Sequence, residues 1–441
     1  MDKAAKRVAA FRELLTEFHQ KLDLEFGFHL WDGSTIPAQL HKDALAVSFA
    51  DEGAVAALVR KPNLDTLANL WSSARVDILN GTVFDIVAKR PTKRTKEWLK
   101  VLDRKQALMT AAKFLLVPRG GPWPLEAVKD DKESDGTAKE NKKNIAYHYD
   151  VSNAFYELWL DKEMVYTCAY FNEWTDDLDT VQLNKLEMSC RRLRLKPGDR
   201  VLDMGCGWGA FSCYAAQNYG AICHGVTLSE QQVAYAQAKV KRLGLEDKVK
   251  IELMDYADVK GEGVYDKVAA IGMIEHVGID NFPKYYGTAH RVLKPGGLFL
   301  HHGITRPGKS QATMTRKKRP EFAALTKYIF PGGELDFIGG TVTNLERAGF
   351  EIHDVEGWRE HYMRTCRMWH DRLLANMDAA VKEVGLATAR LWLIYLAACS
   401  ISFERNTVCL YQTLASKRVR GSVGLPPSRK DLYRGKWAMV N

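Results

Sequence analysis

No stretch of this chain is apolar for the ~20 residues that a bilayer-spanning helix needs. The longest such run, Leu391 to Phe403, stops short. A membrane, if one matters, is expected to be a surface the chain lies on. The eight cysteines include no C-x-x-C pair, and no Cys/His cluster has zinc-ligand spacing, so no metal is expected. With no signal peptide in view, free thiols in a reducing cytosol are the simple expectation. Balanced charge is also lacking. The 63 basic residues exceed the 54 acidic ones and leave a net +9. That favours an anionic partner, nucleic acid or phospholipid, without choosing between them.

What the chain does have is Val201 to Phe211, VLDMGCGWGAF. An apolar run into Asp203 reads as a buried strand ending at its C-terminal edge. Gly205, Gly207 and Gly209 follow at alternate positions. Glycines there let the backbone turn sharply and let a ligand lie against the main chain. A helix is predicted from Ala210, with its N-terminal N–H groups toward the bound molecule. The spacing is Asp-x-Gly-x-Gly-x-Gly, not the G-x-G-x-x-G of dinucleotide folds. It is the form found in enzymes that bind S-adenosylmethionine.

A length of 441 residues allows about two or three domains. Val8, Phe11, Leu15, Phe18 and Leu22 recur at helical spacing, so an amphipathic helix opens the chain. Leu24, Phe26, Phe28 and Leu30 alternate as a strand, and Asp32-Gly33 supplies a turn. Residues 1–125 read as a small α+β domain without a catalytic constellation. Near its end, Lys89 to Lys105 is basic, with Trp98, Leu99, Leu102, Leu108, Met109, Phe114 and Leu115 within and after it. Such a segment either sits among lipid headgroups or packs its apolar side on its own domain. Residues 126–143 hold the polar run KDDKESDGTAKENKK and are expected to be a flexible linker.

From 144 to 441 strands and helices alternate. Strands are predicted at Val201–Met204, Ile222–Val226, Ile251–Leu253, Lys267–Ile271 and Gly297–His302. Phe350–Val355 and Thr407–Leu414 are candidates to complete the sheet. The alternation argues a parallel sheet with helices on both faces, and ligands at the strands' C-terminal edges. After the second strand come Thr227, Leu228, Ser229 and Gln232. Ser229 and Gln232 suit a capping box, while Thr227, Leu228 and Gln232 line a cofactor site. After the third strand, Asp255 offers a carboxylate for an adenine amine and Tyr256 a ring for stacking. After the fourth strand, GMIEHVG stands where base methyltransferases carry an N/D-P-P-Y/W motif, so no nucleic acid partner is expected.

The motifs HYDVSNAFYELWLD, YTCAYF, VLDMGCGWG, GVTLSEQQ, GMIEHVG, LKPGGLFLHHGI and KYIFPGG occur in this order. Together they resemble the cyclopropane-fatty-acyl-phospholipid synthases and the related mycolic acid cyclopropane synthases, from about Asn144 to about Ser416. The small N-terminal domain is also similar to that of the bacterial phospholipid enzymes. The resemblance implies a class I S-adenosylmethionine methyltransferase fold, Rossmann-like and mostly parallel, with inserted lipid-pocket helices. It implies transfer of a methylene from S-adenosylmethionine to cis double bonds of unsaturated phospholipid acyl chains. A related acyl methyltransferase, giving a methyl branch or a methylated alkene, is the alternative. It implies that Tyr166 and Thr167 close over the cofactor, and that Gly205, Gly207 and Gly209 hold its amino-acid part and ribose. Gln232 and Tyr256 would contact the nucleoside, with Asp203 and Asp255 also at the cofactor. Cys168, Glu275, His302, Ile304 and Tyr362 would surround a bicarbonate ion, Cys168 and Ile304 through backbone groups. Cys399 matches a cysteine assigned to the family's active site. By the same resemblance the protein works in the cytoplasm, peripherally on the inner face of the cell membrane, with room for a homodimer.

The chemistry asks for such a set. An isolated alkene is a poor nucleophile, so a sulfonium methyl must be held in line with it. Methyl addition leaves a carbocation, which requires a dry pocket and aromatic faces. Tyr170, Phe171 and Trp369 are candidates by position. A weak base must then take a proton, and Glu275, His302 and Tyr362 can orient one. No step requires a covalent thioether at Cys399, which reads as a buried apolar residue. The family's His-Thr-Ile-Gly here reads His302-Gly303-Ile304-Thr305, losing a hydroxyl, which leaves ring closure open. Arg316, Lys317, Lys318 and Arg319 suit phosphate headgroups, or form a solvated loop.

Overall fold

The computed structural model describes residues 2–91, 102–126, 128, 151–308, 327–331 and 333–433. Most of the basic segment's middle, nearly all of the expected linker, and the Arg316–Arg319 cluster lie outside the described residues. Two compact units emerge: Met1–Lys129 with Gly385–Ala397, and Asp130–Val384 with Ala398–Asn441.

In the first unit, helix α1 (Lys3–Leu22) buries Val8, Phe11, Leu15 and Leu22. That is the apolar stripe read from the sequence. Strands β1 (Gly27–His29), β2 (Thr35–Ile36), β3 (Ala46–Phe49) and β4 (Val76–Leu79) form a sheet of order β2-β1-β3-β4. Phe11 meets Phe49 and Phe114 edge-on, at ring distances of 5.5 and 5.9 Å. Helices α2 (Glu52–Arg60) and α3 (Leu64–Ser72) are capped by Asp51 and Asn63, whose side chains accept N–H groups of Ala54 and Thr66. Helix α4 (Arg104–Phe114) follows. Arg390 joins this unit through Trp71 O at 2.7 Å and Asp77 at 2.8 Å.

The second unit is built on seven strands: β5 (Arg200–Met204), β6 (Ile222–Thr227), β7 (Val249–Leu253), β8 (Tyr265–Ile271), β9 (Leu293–Thr305), β10 (Phe350–Gly357) and β11 (Cys409–Lys417). Their order is β10-β11-β9-β8-β5-β6-β7. β5 to β9 pair in parallel, while β11 runs antiparallel to both neighbours. Each central strand buries both faces, as parallel sheets do. On β8, Ala269 and Ile271 join one core, while Val268 and Ala270 join the other. The strands predicted at 297–302 and 407–414 are longer or shifted. β11 pairs with β9 from Cys409↔Thr305 to Ser416↔Leu298, which extends the strand past His302.

The helices that matter for the site are α5 (Leu178–Arg192), α6 (Ala210–Tyr219), α7 (Glu230–Arg242), α8 (Arg359–Ala375) and α9 (Leu386–Glu404). α6 begins at Gly209 (φ 80°) and ends at Gly220 (φ 65°), both left-handed. α9 corrects the expectation drawn from its apolar run. Arg390 and Glu404 are carried within 19 helical residues, long and apolar enough by composition to cross a membrane. Since 56% of that window is buried within the protein, it behaves as a core helix.

Candidate active site

The cofactor cleft opens where β5, β6 and β8 end. Past Met204 the chain turns, and the N–H groups of Gly205 and Cys206 both donate to Val226 O, at 2.9 and 3.0 Å. Gly205 has φ 79°, and a Cβ there would stand 3.0 Å from Met273 Cγ. At Gly207 a Cβ would meet nothing within 4 Å, because this glycine faces the open cleft. Gly205, Gly207, Thr227, Leu228, Gln232, Asp255 and Tyr256 line it, with Gly272, Met273 and His276 opposite.

Four residues assigned to the cofactor from sequence flank the cleft instead. Gly209 starts α6 and packs on Ala236. Asp203 lies buried below the glycine turn and accepts from Ser212 Oγ at 2.8 Å, its carboxyl raised to about 6 by burial. Thr167 packs its methyl against Gly272, where a Cβ would come within 2.5 Å. Tyr166 sits among Tyr156, Trp159 and Trp369, at ring distances of 5.6, 5.2 and 5.2 Å.

The polar groups of the cleft satisfy one another. Thr227 Oγ1 donates to Gln232 Oε1 at 2.7 Å and accepts from Ser229 N–H at 3.3 Å. Ser229 Oγ caps α7 by accepting Gln232 N–H at 3.3 Å. Only half of the capping box forms, because the Gln232 side chain turns to Thr227. Asp255 caps the short turn Tyr256–Asp258, accepting Ala257 N–H at 2.8 Å. The phenol of Tyr256, raised by burial, presents an apolar ring.

Beyond the cleft lies a buried polar cluster. Glu275, on the turn after β8, accepts the Ile304 N–H at 2.6 Å through Oε1. Among the described residues its Oε2 has no partner. Burial raises its carboxyl to about 7. His302, near the end of β9, faces Gln412 of β11 in register. Gln412 Nε2 donates to His302 Nδ1 at 3.2 Å, which leaves the proton on Nε2. Among the described residues that Nε2 is buried without a partner, as is Gln412 Oε1. Burial first, with the nearby Lys185 charge, holds the imidazole neutral. Tyr362 of α8 stacks on Phe403 at 4.6 Å and meets Trp369 edge-on at 5.9 Å. Its phenol is raised by burial, with Cys366, Tyr166, Cys168 and Glu275 all near enough to add to the effect.

Glu275 is bonded to the Ile304 main chain, two residues after His302 on β9, and Cys168 and Glu275 both lie near enough to the Tyr362 phenol to raise it. The Ile304 N–H is engaged by Glu275 and orients that carboxyl. Cys168 is wholly buried and its thiol, raised by burial, donates to Ala169 O at 3.2 Å. It is no thiolate nucleophile. Cys399 neighbours Cys366 on the adjoining helix. Trp369 touches Tyr166 and Tyr362, whereas Tyr170 and Phe171 pack around His361 at 5.0 and 5.9 Å.

Three residues escaped the sequence reading. Gln182 donates to Val165 O and Thr167 O at 3.2 and 2.9 Å, and so fixes the segment that carries Tyr166 to Cys168. Lys185 lies one turn along α5, and Gln412 orients His302. Their signal was polar side chains at core positions: 182, 185 and 189 share one face of α5, and Gln412 breaks an apolar strand.

The sequence profile of the family described as mycolic acid cyclopropane synthetase matches residues 137–413. A probable fatty acid methyltransferase of Pseudomonas putida is 41% identical over 312 residues, covering 70% of this chain and 77% of its own. The cyclopropane-fatty-acyl-phospholipid synthase of Escherichia coli K12 is 35% identical over 276 residues, covering 63% and 68%. The solved structure of mycolic acid cyclopropane synthase CmaA1 complexed with SAH and CTAB superposes with a TM-score of 0.59, at 28% identity, over 63% of this chain and 98% of that one.

Proposed function

The chain belongs to the mycolic acid cyclopropane synthetase family of S-adenosylmethionine-dependent enzymes of fatty-acid modification, and we propose that it methylates cis-unsaturated acyl chains of phospholipids. The observation that carries this is the pair of unpartnered buried atoms, Glu275 Oε2 and His302 Nε2, beside a glycine-lined cleft.

S-adenosylmethionine, bound there, would supply an electrophilic sulfonium methyl. The cleft suits it. Gly207 leaves open space against the main chain, and Tyr256 offers a ring to adenine. A bicarbonate ion would supply a weak base. It suits the polar cluster because it both donates and accepts, answering the Glu275 oxygen and the His302 N–H together. Glu275, His302, Tyr362 and the main chain at Cys168 would hold it.

The chain's own residues then have separable tasks. Gln182 holds the Tyr166–Cys168 segment. Trp369, Tyr166 and Tyr362 present ring faces to the positive charge that methyl addition leaves on the acyl carbon. The buried cluster receives a proton. A proton lost from the added methyl closes a ring, and one lost from the adjoining chain carbon gives a methylated alkene. Both outcomes balance without a redox partner. We favour the methylated alkene, because the 41% identical relative is a probable fatty acid methyltransferase. The cyclopropane ring is the second reading, favoured by the 35% identical synthase.

The lipid surface is reached through the first unit. Around α4, Leu108 (72% exposed), Met109, Leu115 and Leu116 (95%) stand in solvent beside exposed Arg104, Lys105 and Lys113. Apolar and basic groups so mixed suit an anionic headgroup region.

The test is the purified protein with S-adenosylmethionine, bicarbonate and vesicles of cis-unsaturated phospholipid. Modified chains should gain the mass of one CH₂ and remain cleavable by ozone. An ozone-resistant product of the same mass selects the ring. No mass gain refutes both.

A further inference from the structure

Residues 165–171 belong to neither a helix nor a strand, yet they carry Tyr166, Thr167 and Cys168 to the site. A largely buried segment of this kind must still satisfy its main-chain groups. Here two helices satisfy them from opposite ends of the side-chain menu. From α5, Gln182 Nε2 donates to Val165 O and Thr167 O, and Val181 O accepts the Tyr170 N–H at 3.0 Å. From α8, Thr365 Oγ1 accepts the Ala169 N–H at 3.1 Å, and His361 Nδ1 accepts the Phe171 N–H at 3.0 Å.

The α8 pair is fixed in polarity. Thr365 is fully buried and donates its only hydroxyl hydrogen to His361 O at 2.7 Å, so toward Ala169 it can only accept. His361 accepts at Nδ1, so its proton sits on Nε2. Burial, with Arg364 on the same helix, lowers the imidazole to about 4 and keeps the ring neutral. The ring stacks on Tyr170, at 5.0 Å with 7° between the planes, which sets its orientation. His361 and Thr365 lie one turn apart on one face of α8, the helix that also carries Tyr362 and Trp369. Trp369 meets Tyr166 of the segment at 5.2 Å. Two hydrogen bonds therefore set the register between the helix that bears two of the site's rings and the segment that bears the third.

We propose that His361 and Thr365 are positioning residues, which lock α8 to residues 165–171 and so hold Tyr166, Tyr362 and Trp369 at one spacing around the reacting acyl carbon. The inference rests on the methyl-transfer reading above. It gives neither residue a contact with substrate or a share in proton transfer. What it requires at position 361 is a hydrogen-bond acceptor where Nδ1 stands, rather than a ring. A rate that depends on aligned groups falls steeply with small displacements.

The test sets acceptor against ring. Asparagine places Oδ1 close to where Nδ1 stood and loses the ring, whereas phenylalanine keeps the ring and loses the acceptor. Full-length His361→Asn and His361→Phe are assayed with S-adenosylmethionine, bicarbonate and vesicles of cis-unsaturated phospholipid, well below both thermal midpoints. Deuterium uptake of the peptide covering residues 166–172 is read in parallel, without lipid. His361→Phe should lower kcat about tenfold and speed the exchange, while His361→Asn stays within about threefold of wild type in both. Thr365→Val and Thr365→Ser repeat the contrast at Ala169, and they carry the comparison should a His361 variant fail to fold. Affinity for S-adenosylhomocysteine should stay within about threefold throughout, because the cleft is built on β5, β6 and β8. Turnover in His361→Phe equal to or above that in His361→Asn, or Thr365→Val exchanging and turning over like wild type, overturns the proposal. So does a loss of S-adenosylhomocysteine binding that matches the loss of turnover, since the pair would then support the fold as a whole. Wild-type protein that leaves the vesicles unmodified overturns the methyl-transfer reading, and this inference with it.

Discussion

Consider the substitution Glu275→Gln. In the native protein this carboxyl is buried, accepts one N–H from Ile304, and leaves its other oxygen unpartnered. Its pKa is raised from 4.5 to about 7, because burial penalises the charged form more than the Ile304 N–H favours it. The unfolded chain ionises near 4.5, so the unfolded state loses its proton first as pH rises. Stability conferred by the neutral acid is therefore complete below the unfolded value and is lost as pH climbs toward 7. The loss amounts to about 3 kcal/mol at pH 8 and about 1 kcal/mol or less at pH 5. Glutamine keeps an oxygen for Ile304 and cannot ionise. The variant should gain most of that difference, raising the thermal midpoint at pH 8 by on the order of 5 °C, and gain little at pH 5. Other titrating groups cancel between variant and wild type. Turnover should meanwhile fall, by at most about 10²–10⁴, the range for losing general-base catalysis, because the variant loses a group that holds the base. Thermal scans at both pH values with a product assay read both effects. A variant less stable than wild type at pH 8, or a gain that ignores pH, refutes the assignment of a strained buried acid.

Further outcomes follow from the same geometry. Gln412→Leu removes the amide that fixes the His302 tautomer; turnover should drop about tenfold while S-adenosylhomocysteine binds unchanged by calorimetry. Gly205→Ala places a Cβ at positive φ and 3.0 Å from Met273; affinity for S-adenosylhomocysteine should weaken roughly tenfold in the same titration. Leu116→Asp with Leu108→Ser should abolish co-sedimentation with anionic vesicles, yet preserve turnover on detergent-dispersed lipid. Cys399→Ser should keep at least about half of the wild-type rate, since the chemistry forms no thioether.

Local pattern made much of this protein legible. The strand before Asp203, the glycines after it and the helix from Ala210 follow one another within a dozen residues, and local physics dictates each. The alternation of later strands and helices fixed the parallel sheet in the same way. What local pattern concealed were partners distant in sequence. β9 runs on to Thr305 only because β11 pairs with it. Gln412 meets His302 across 110 residues. Residues 385–397 cluster with the first unit, where Arg390 bonds Trp71 across 319 residues. Nor does a sequence distinguish a glutamine that holds a loop, like Gln182, from one that faces solvent. The Ile304 N–H shows the converse. Its position was expected from resemblance, but its use by Glu275 depends on a turn 29 residues earlier.

The unpaired atoms argue for what the site must exclude. Gln182 Oε1, Glu275 Oε2, His302 Nε2 and Gln412 Oε1 come from four different elements, and all are buried without partners among the described residues. Native proteins leave few such groups unsatisfied, and a ligand is one way to complete them. Water would satisfy the Glu275 oxygen and the His302 N–H as well as any ion. Yet water beside a carbocation would add to it and yield an alcohol. A site that passes through such a cation must therefore fill these positions with something that accepts a proton but attacks carbon poorly. Selectivity against water cannot come from hydrogen-bond geometry alone, because water adapts to any arrangement of donors and acceptors.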